Sequence, residues 1–339
     1  MTTMPIGEAA RRLQRETFVV DGLVTGPPGP PMVRRLLEAG YDACNWTVAG
    51  HSDSTEAALN KIAAFFWLRD ALPEQLTLVR SAADLDGPPD SGRLRVLLGF
   101  QGAEPLAGQF HFVSIMHALG VRVIQLTYNE ANRLGSGCLE PRDGGLTHLG
   151  RQVVREMNRL GMVVDLTHVG EQTSLDAIAV SNDPVVFSHS NARALRDNPR
   201  NLSDTQLRAL AANGGVVGVA TFADFVGDTR EGQPSIARML DHLCYIAELI
   251  GVDHVGVGTD IMETAGAAGV WWNANTKRRY PEICGAMDEA MHGITGFERW
   301  EDSINFTEGL VQRGFSEHEI GKIMGGNFRR VFQEVLGQQ

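Results

Sequence analysis

The sequence has no apolar run near the roughly 18–20 residues that a membrane-spanning helix requires. Its amino-terminal stretch also lacks the apolar segment of a secretory signal, since it reads MTTMPIGEAARRLQRETF. No hydrophobic tail of the glycolipid-anchor type follows the last helix-like segment. These absences predict a cytoplasmic protein with no membrane association.

Basic clusters and paired cysteines are missing as well. The net charge is −11 and the isoelectric point is near 5.4, and no basic cluster is longer than Lys277–Arg279. This balance argues against a nucleic-acid partner. The four cysteines form no Cys-x-x-Cys pair, which predicts free thiols in a reducing compartment. They are Cys44, Cys138, Cys244 and Cys284.

Short apolar runs rich in β-branched residues alternate with helical segments along all 339 residues. Several runs are apolar almost throughout, as strands buried on both faces of a sheet are. Eight such strand–helix units predict a single (β/α)8 (TIM) barrel domain over residues 1–339. A doubly wound open sheet is the alternative, disfavoured because no Gly-x-Gly-x-x-Gly follows the first strand. The predicted strands are Phe18–Asp21, Ala43–Val48, Arg95–Gln101, Arg122–Tyr128, Met162–His168, Val185–His189, Val216–Thr221 and His254–Asp260.

Two of the helices have recognisable start signals. Ser203 with Gln206, and Ser316 with Glu319, have the spacing of capping boxes, in which each side chain binds the other residue's backbone N–H. Gly214 follows the first of these helices where a glycine is expected to end it.

Two segments are predicted to be insertions, Gly22–Pro31 after the first strand and Thr264–Trp300 after the eighth. In a barrel both would lie on the carboxyl-terminal face of the strands, where active sites are built. The second contains Trp271 and Trp272, which could close over a substrate or pack the loop or a subunit contact.

Polar residues end five of the apolar runs, namely Gln101, Tyr128, His168, His189 and Asp260. Two histidines on neighbouring strands, together with Asp260, could converge on one divalent metal ion such as zinc. A single histidine at a strand end is more often a hydrogen-bonded structural residue, so the argument depends on the whole set.

Longer blocks of sequence carry a family resemblance. They include GFQGAEPL, LTYNEANRLGSGCLEPRDGGLTHLGR, MNRLGMVVDLTHVGEQTSLDAI, VFSHSNARAL, NPRNLSDTQLRALAANGGVVGV, VGVGTD and MGGNFRRVF. In this order they resemble the membrane dipeptidase family (peptidase family M19), binuclear zinc peptidases of the amidohydrolase-like barrels. The similarity runs from about Val19 to Phe332.

The resemblance implies roles for individual residues. His168 and His189 match the two histidines that hold the family's second metal ion. Asp260 matches an aspartate that binds the first metal ion and acts as general base. Arg200 matches an arginine that pairs with the substrate's terminal carboxylate, a contact suited to guanidinium geometry. Tyr128 stands where family members often carry a histidine that stabilises the tetrahedral intermediate, and its hydroxyl could donate a hydrogen bond to an oxyanion.

Three departures from the family pattern alter the first metal site. Leu23 and Thr25 occupy the positions of the family's His-x-Asp ligands, and leucine has no ligand atom. Gln101 replaces the glutamate that bridges the two ions, and a neutral amide is a weaker ligand than a carboxylate. We therefore expect one zinc ion per subunit, held by His168 and His189 with Gln101 or Asp260.

His51-Ser52-Asp53 reproduces the His-x-Asp spacing after the second strand. These side chains could refill the altered site. The alternative is a polar loop in which Ser52 or Asp53 caps the helix that begins near Thr55.

These patterns predict a metal-dependent hydrolase that cleaves an amide bond in a dipeptide or a similar small carboxylate-bearing substrate. Two alternatives remain open: a barrel that binds a small molecule without hydrolysing it, and a metal-dependent enzyme of another reaction type. The resemblance also implies a possible homodimer.

Overall fold

The computed structural model describes residues 6–261, 275–285 and 293–337. A parallel sheet of nine strands forms a nearly closed barrel in the order β1-β2-β4-β5-β6-β7-β8-β9, and β3 pairs with β4 outside this path. The predicted (β/α)8 barrel is confirmed. The strands are β1 Val20–Val24, β2 Ala43–Gly50, β3 Leu76–Leu78, β4 Leu94–Gln101, β5 Val121–Gln125, β6 Val163–Asp165, β7 Val186–Phe187, β8 Val216–Val219 and β9 Val255–Val257.

Each of the eight predicted strands corresponds to one strand of the barrel, and β3 was not predicted. The boundaries differ most at the carboxyl ends. Tyr128, His168 and Asp260 each lie three residues beyond the last residue of their strand, not on it. At the end of β6, Asp165 accepts the backbone N–H of Thr167, which turns the chain out of the sheet, and also that of Ser188 after β7. The polar residues are therefore on turns at the barrel rim.

Helices follow most strands and surround the barrel. Both predicted capping boxes are present, at Ser203 with Gln206 and at Ser316 with Glu319, and Gly214 adopts the left-handed φ of +82° that ends the first of these helices. The helices are α1 Glu8–Glu16, α2 Pro30–Glu38, α3 Thr55–Ala71, α4 Phe112–Ala118, α5 His148–Arg159, α6 Glu171–Val180, α7 Asp204–Ala212, α8 Ala223–Val226, α9 Ile236–Ile250, α10 Pro281–Cys284, α11 Ser303–Gln312, α12 Glu317–Gly321 and α13 Asn327–Leu336.

A buried carboxylate joins the first and last strands of the barrel. Asp21 of β1 accepts hydrogen bonds from the backbone N and the hydroxyl of Thr259, at 2.8 and 2.6 Å, and from the indole of Trp300 at 3.2 Å. Burial raises the pKa of Asp21 to about 6. The N–H of Asp260 also donates to Leu23 O at 3.3 Å. These bonds hold the carboxyl ends of β1 and β9 together at the rim.

The barrel interior is narrow, and glycines allow its backbones to approach. A Cβ on Gly258 would lie 1.7 Å from the carbonyl oxygen of Ser188. The ring of Phe328, from α13, fills the amino-terminal end of the barrel and packs against Gly22 and Gly256. The lower barrel is thus a packed core, and the opposite end is left for the site.

The predicted insertion Gly22–Pro31 is shorter than expected, because β1 extends to Val24 and α2 begins at Pro30. About half of the second predicted insertion, including Trp271 and Trp272, lies outside the described residues. In the described ranges, no helix is long and apolar enough to cross a membrane.

Candidate active site

A cavity of about 500 Å³ opens at the carboxyl ends of the strands. Five of the six predicted site residues line it, and the sixth, His189, lies fully buried next to His168. The loop after β1 contributes to the wall, as predicted for the face that carries the active site. The five lining residues are Gln101, Tyr128, His168, Arg200 and Asp260.

Two of these residues have unusual backbone conformations that aim their side chains. His168 has a φ of +66° and Asp260 a φ of +52°, in the left-handed region that residues other than glycine rarely adopt. The His168 turn brings its Nε2 to 3.0 Å from the Nε2 of His189. Such strain is concentrated at functional sites, so these turns mark the rim as a candidate site independently of the residue types.

Hydrogen bonds on the far side of each ring decide which nitrogen carries the proton. Ser188 Oγ donates its one proton to Asp165 at 2.5 Å, so the His189 Nδ1, 2.8 Å from the same oxygen, must donate to it. His168 Nδ1 lies 2.6 Å from the amide oxygen of Asn129 and must donate as well. Both Nε2 atoms are left with lone pairs, and these face each other.

Two lone pairs opposed at 3.0 Å repel each other, and a cation within reach of both would relieve that repulsion. A proton is disfavoured at neutral pH, because burial and the charge of Arg200 lower the pKa of both histidines well below its ordinary value. A divalent ion fits, because two nitrogen atoms 3.0 Å apart can both lie within metal–nitrogen bonding distance, about 2.0–2.1 Å, of the same ion. Asn129, Ser188 and Asp165 would then orient the ligands, as residues behind a metal site commonly do.

The side chains at the altered positions lack the ligand groups of the family's first metal site. Leu23 is buried, Thr25 donates its hydroxyl proton to Ile261 O at 3.0 Å, and Gln101 donates its amide N–H to the hydroxyl of Thr47 at 2.8 Å. Among the residues that the structure describes, no three His, Cys, Asp or Glu side chains are grouped closely enough to hold a metal ion. The donor set fits one ion at the histidine pair, and the contributions of Gln101 and Asp260 to its coordination stay predictions.

His51 and Asp53 line the same cavity as Thr25 and Gln101, and their replacement of the altered ligands stays a hypothesis. The ring of Tyr128 stacks between His51, at 4.1 Å, and His168, at 3.9 Å, so it separates the two histidines. Asp53 accepts hydrogen bonds from Gly50 N at 2.7 Å and from Lys61 Nζ at 2.6 Å.

The capping residue expected in this loop was predicted wrongly. The helix begins at Thr55 as expected, but Ser54, and neither Ser52 nor Asp53, caps it by accepting from Ala57 N. Asp53 is held away from the helix end by its bonds to Gly50 and Lys61.

Arg200 is a buried cation without a carboxylate partner in the described structure. Its guanidinium donates to His189 O at 3.1 Å and to Ser190 Oγ at 3.5 Å, and it lies 4.9 Å from the ring centre of Phe225. Its Nε has no hydrogen-bond partner among the described residues. A buried guanidinium that borders a cavity and has no carboxylate partner is suited to bind an anionic ligand.

Two further cavity residues have protonation states that suit a reaction. Burial raises the pKa of Asp260 to about 7, although the charge of Arg200 opposes this shift. Burial and nearby Asp260 raise the pKa of Tyr128 well above its ordinary value, so its hydroxyl remains a hydrogen-bond donor at neutral pH.

Sequence reasoning missed the residues that orient the two histidines. Asn129 and Ser188 are each adjacent in sequence to a predicted site residue, and Asp165 ends the strand before His168. The polar residues next to the strand ends could have been noticed in the sequence. Only the fold shows that Asn129 and Ser188 contact the two histidine rings.

Comparison with known proteins identifies the family. The family model described as membrane dipeptidase (peptidase family M19) matches residues 31–288. This chain belongs to the membrane dipeptidase family. The family prediction is confirmed, and with it the prediction of a dipeptidase-like hydrolase. Family membership also implies a divalent metal ion.

Relatives of the membrane dipeptidase family are similar over most of this chain. Dipeptidase tcpJ of Claviceps purpurea is 29% identical over 89% of this chain and 68% of its own length. Dipeptidase ataJ of Aspergillus terreus is 32% identical over 78% of this chain and 63% of its own. The chain thus spans about two thirds of these relatives.

Solved structures agree with the fold. An amidohydrolase from Pseudomonas aeruginosa is 32% identical, with a TM-score of 0.86 over 97% of this chain and 99% of that one. A metallopeptidase from Rhodobacter sphaeroides, solved with a phosphinate mimic of the dipeptide L-Ala-D-Ala, shares the fold at 20% identity, with a TM-score of 0.76 over 94% of this chain and all of that one.

Proposed function

We propose that this protein hydrolyses an amide bond in a dipeptide or similar small substrate that carries a carboxylate. One divalent ion, predicted to be zinc, would be held by His168 and His189. The observation that carries the proposal is the pair of Nε2 lone pairs facing each other at 3.0 Å beside the cavity. When bound, the ion would supply the Lewis acidity that activates water toward an amide carbonyl.

The chain's own residues would bind the substrate and move protons. Arg200, which lines the cavity and has no carboxylate partner among the described residues, would anchor the carboxylate. Tyr128, whose ring stacks on His168, would donate its hydroxyl proton in a hydrogen bond to the developing oxyanion. Asp260, a buried carboxyl group on the cavity wall, would accept a proton.

The first test is the metal content of protein purified without added metal, measured by mass spectrometry. We expect about one equivalent in the wild type and almost none in the double variant His168→Ala/His189→Ala. A double variant of two exposed histidines, His148→Ala/His318→Ala, is the matched control and should retain the ion.

Each other outcome has a defined meaning. Two equivalents in the wild type would contradict the single-ion site. No metal, even after incubation with zinc, would refute the hydrolase proposal and favour a barrel that binds a small molecule without hydrolysing it. The choice of zinc, a homodimer and the cytoplasmic location stay predictions.

A further inference from the structure

We infer that the substrate has no free ammonium group next to the scissile bond, and that it is an N-acylated amino acid with an apolar acyl part. The inference rests on the proposed function, because it assumes amide hydrolysis at the histidine pair. It follows from the charges and the apolar surface of the cavity.

The described wall of the cavity has two acidic side chains, Asp53 and Asp260. Asp53 is already neutralised by Lys61 Nζ at 2.6 Å and accepts from Gly50 N as well. Asp260 lies close enough to Arg200 for the positive guanidinium to offset the negative charge of the carboxylate. A divalent ion at the histidine pair would make this part of the site net positive, which repels a second cation.

The departures from the family pattern remove two carboxylate groups from the same wall. Thr25 and Gln101 stand where the resemblance implies an aspartate and a glutamate, and both line the cavity. Each is bound to a neutral partner, Thr25 to Ile261 O and Gln101 to the hydroxyl of Thr47. Neither position offers a carboxylate to pair with an ammonium group.

Apolar side chains form much of the remaining wall. A free ammonium placed against them would lose its hydration without gaining a counter-charge, whereas an acyl group would gain from burial. Arg200 would still hold the carboxylate at the other end of the substrate. The apolar lining residues include Val48, Phe65, Phe222, Phe225 and Ile283.

A matched pair of substrates isolates the ammonium group. Propionyl-alanine is alanyl-alanine with the amino group replaced by hydrogen, and both should be prepared with L- and D-alanine at the carboxyl end. Hydrolysis adds one water across the C–N bond and releases alanine together with propionate or a second alanine. We expect kcat/KM of the metal-loaded enzyme to be at least about tenfold higher for propionyl-alanine.

Binding of the same pair, measured by isothermal titration calorimetry, separates this inference from the proposed function. If neither compound is hydrolysed, the proposed function fails and the substrate assignment fails with it, whereas at least about tenfold tighter binding of propionyl-alanine would still show that the cavity disfavours an ammonium group. Equal values for the pair, a preference for alanyl-alanine, or no binding of either compound would overturn the inference.

A charge-restoring variant gives a second, independent test. Gln101→Glu returns a carboxylate to the cavity wall and should reduce the preference for propionyl-alanine several-fold, in binding as well as in kcat/KM. Gln109→Glu makes the same change at an exposed position outside this cavity and should leave the preference unchanged. Equal effects of the two variants would mean that the charge at Gln101 does not set substrate preference.

Discussion

At the scale of single residues, the metal-binding capacity of this site depends on atoms that would not touch the metal. Asn129 Oδ1 accepts the proton of His168 Nδ1, and Ser188, tied to Asp165, accepts that of His189 Nδ1. These bonds select one tautomer for each ring. A histidine in the other tautomer would present an N–H, and not a lone pair, to the ion.

Removing the acceptor beside His168 should therefore weaken metal binding. We expect Asn129→Leu to raise the dissociation constant for zinc by about 10–100-fold, whereas Asn129→Asp, which keeps an acceptor and adds charge, should bind at least as tightly as the wild type. Competition against a chromogenic chelator measures both constants. Asn60→Leu, at an exposed position of α3, is the control. Unchanged affinity in Asn129→Leu would show that the tautomer of His168 is not set by this bond.

At the scale of helices and strands, a buried histidine connects α9 to the loops that carry the site. His242 accepts from Ala192 N at 3.1 Å and donates to Val226 O at 3.0 Å, so it joins the segment after β7 to the end of α8. Burial lowers its pKa to about 4. His242 is therefore uncharged in the folded protein at neutral pH.

This shift predicts that His242 makes the protein sensitive to acid. Below pH 6.5 the unfolded chain takes up a proton that the folded chain refuses until about pH 4, so stability is lost as the pH falls through that interval. The loss amounts to about 3 kcal/mol at most. His242→Gln does not titrate, so its deficit in unfolding free energy relative to the wild type should shrink as the pH falls from 7.5 to 4.5.

Urea denaturation at several pH values measures this difference. The exposed His148→Gln should follow the wild type at every pH. A deficit in His242→Gln that is constant with pH would contradict a role for His242 ionisation and leave only the loss of its hydrogen bonds.

At the scale of the whole molecule, closure of the barrel leaves little room between the last strands. The Cβ of an alanine at position 258 would lie 1.7 Å from Ser188 O, a backbone atom that is unable to move without displacing His189. We expect Gly258→Ala to destabilise the fold by more than about 4 kcal/mol, or to prevent folding.

Gly321→Ala is the matched control for this clash. Gly321 ends α12, and an added Cβ there meets no atom within 4 Å. It should leave stability unchanged or raise it by up to about 1 kcal/mol. Thermal unfolding of both variants tests the prediction, and similar melting temperatures would refute the close packing of the strands at Gly258.

The sequence alone was enough to predict the barrel, because buried strands and capped helices depend on local patterns. The apolar run before His168 and the Ser203–Gln206 spacing need no knowledge of distant residues. The strand-end histidines could likewise be predicted, since parallel strands bring their carboxyl ends to one face. The short strand β3 and the true strand ends were not predicted, because they depend on partners elsewhere in the chain.

Only the tertiary structure decided how the site is assembled. The surroundings of His51 depend on where the Tyr128 ring lies, and that ring is placed between His51 and His168 by packing. The opposed lone pairs of His168 and His189 depend on hydrogen bonds from separate strands and loops. Local sequence determines which groups are available, but distances of a few ångströms between remote segments are set by the closed barrel.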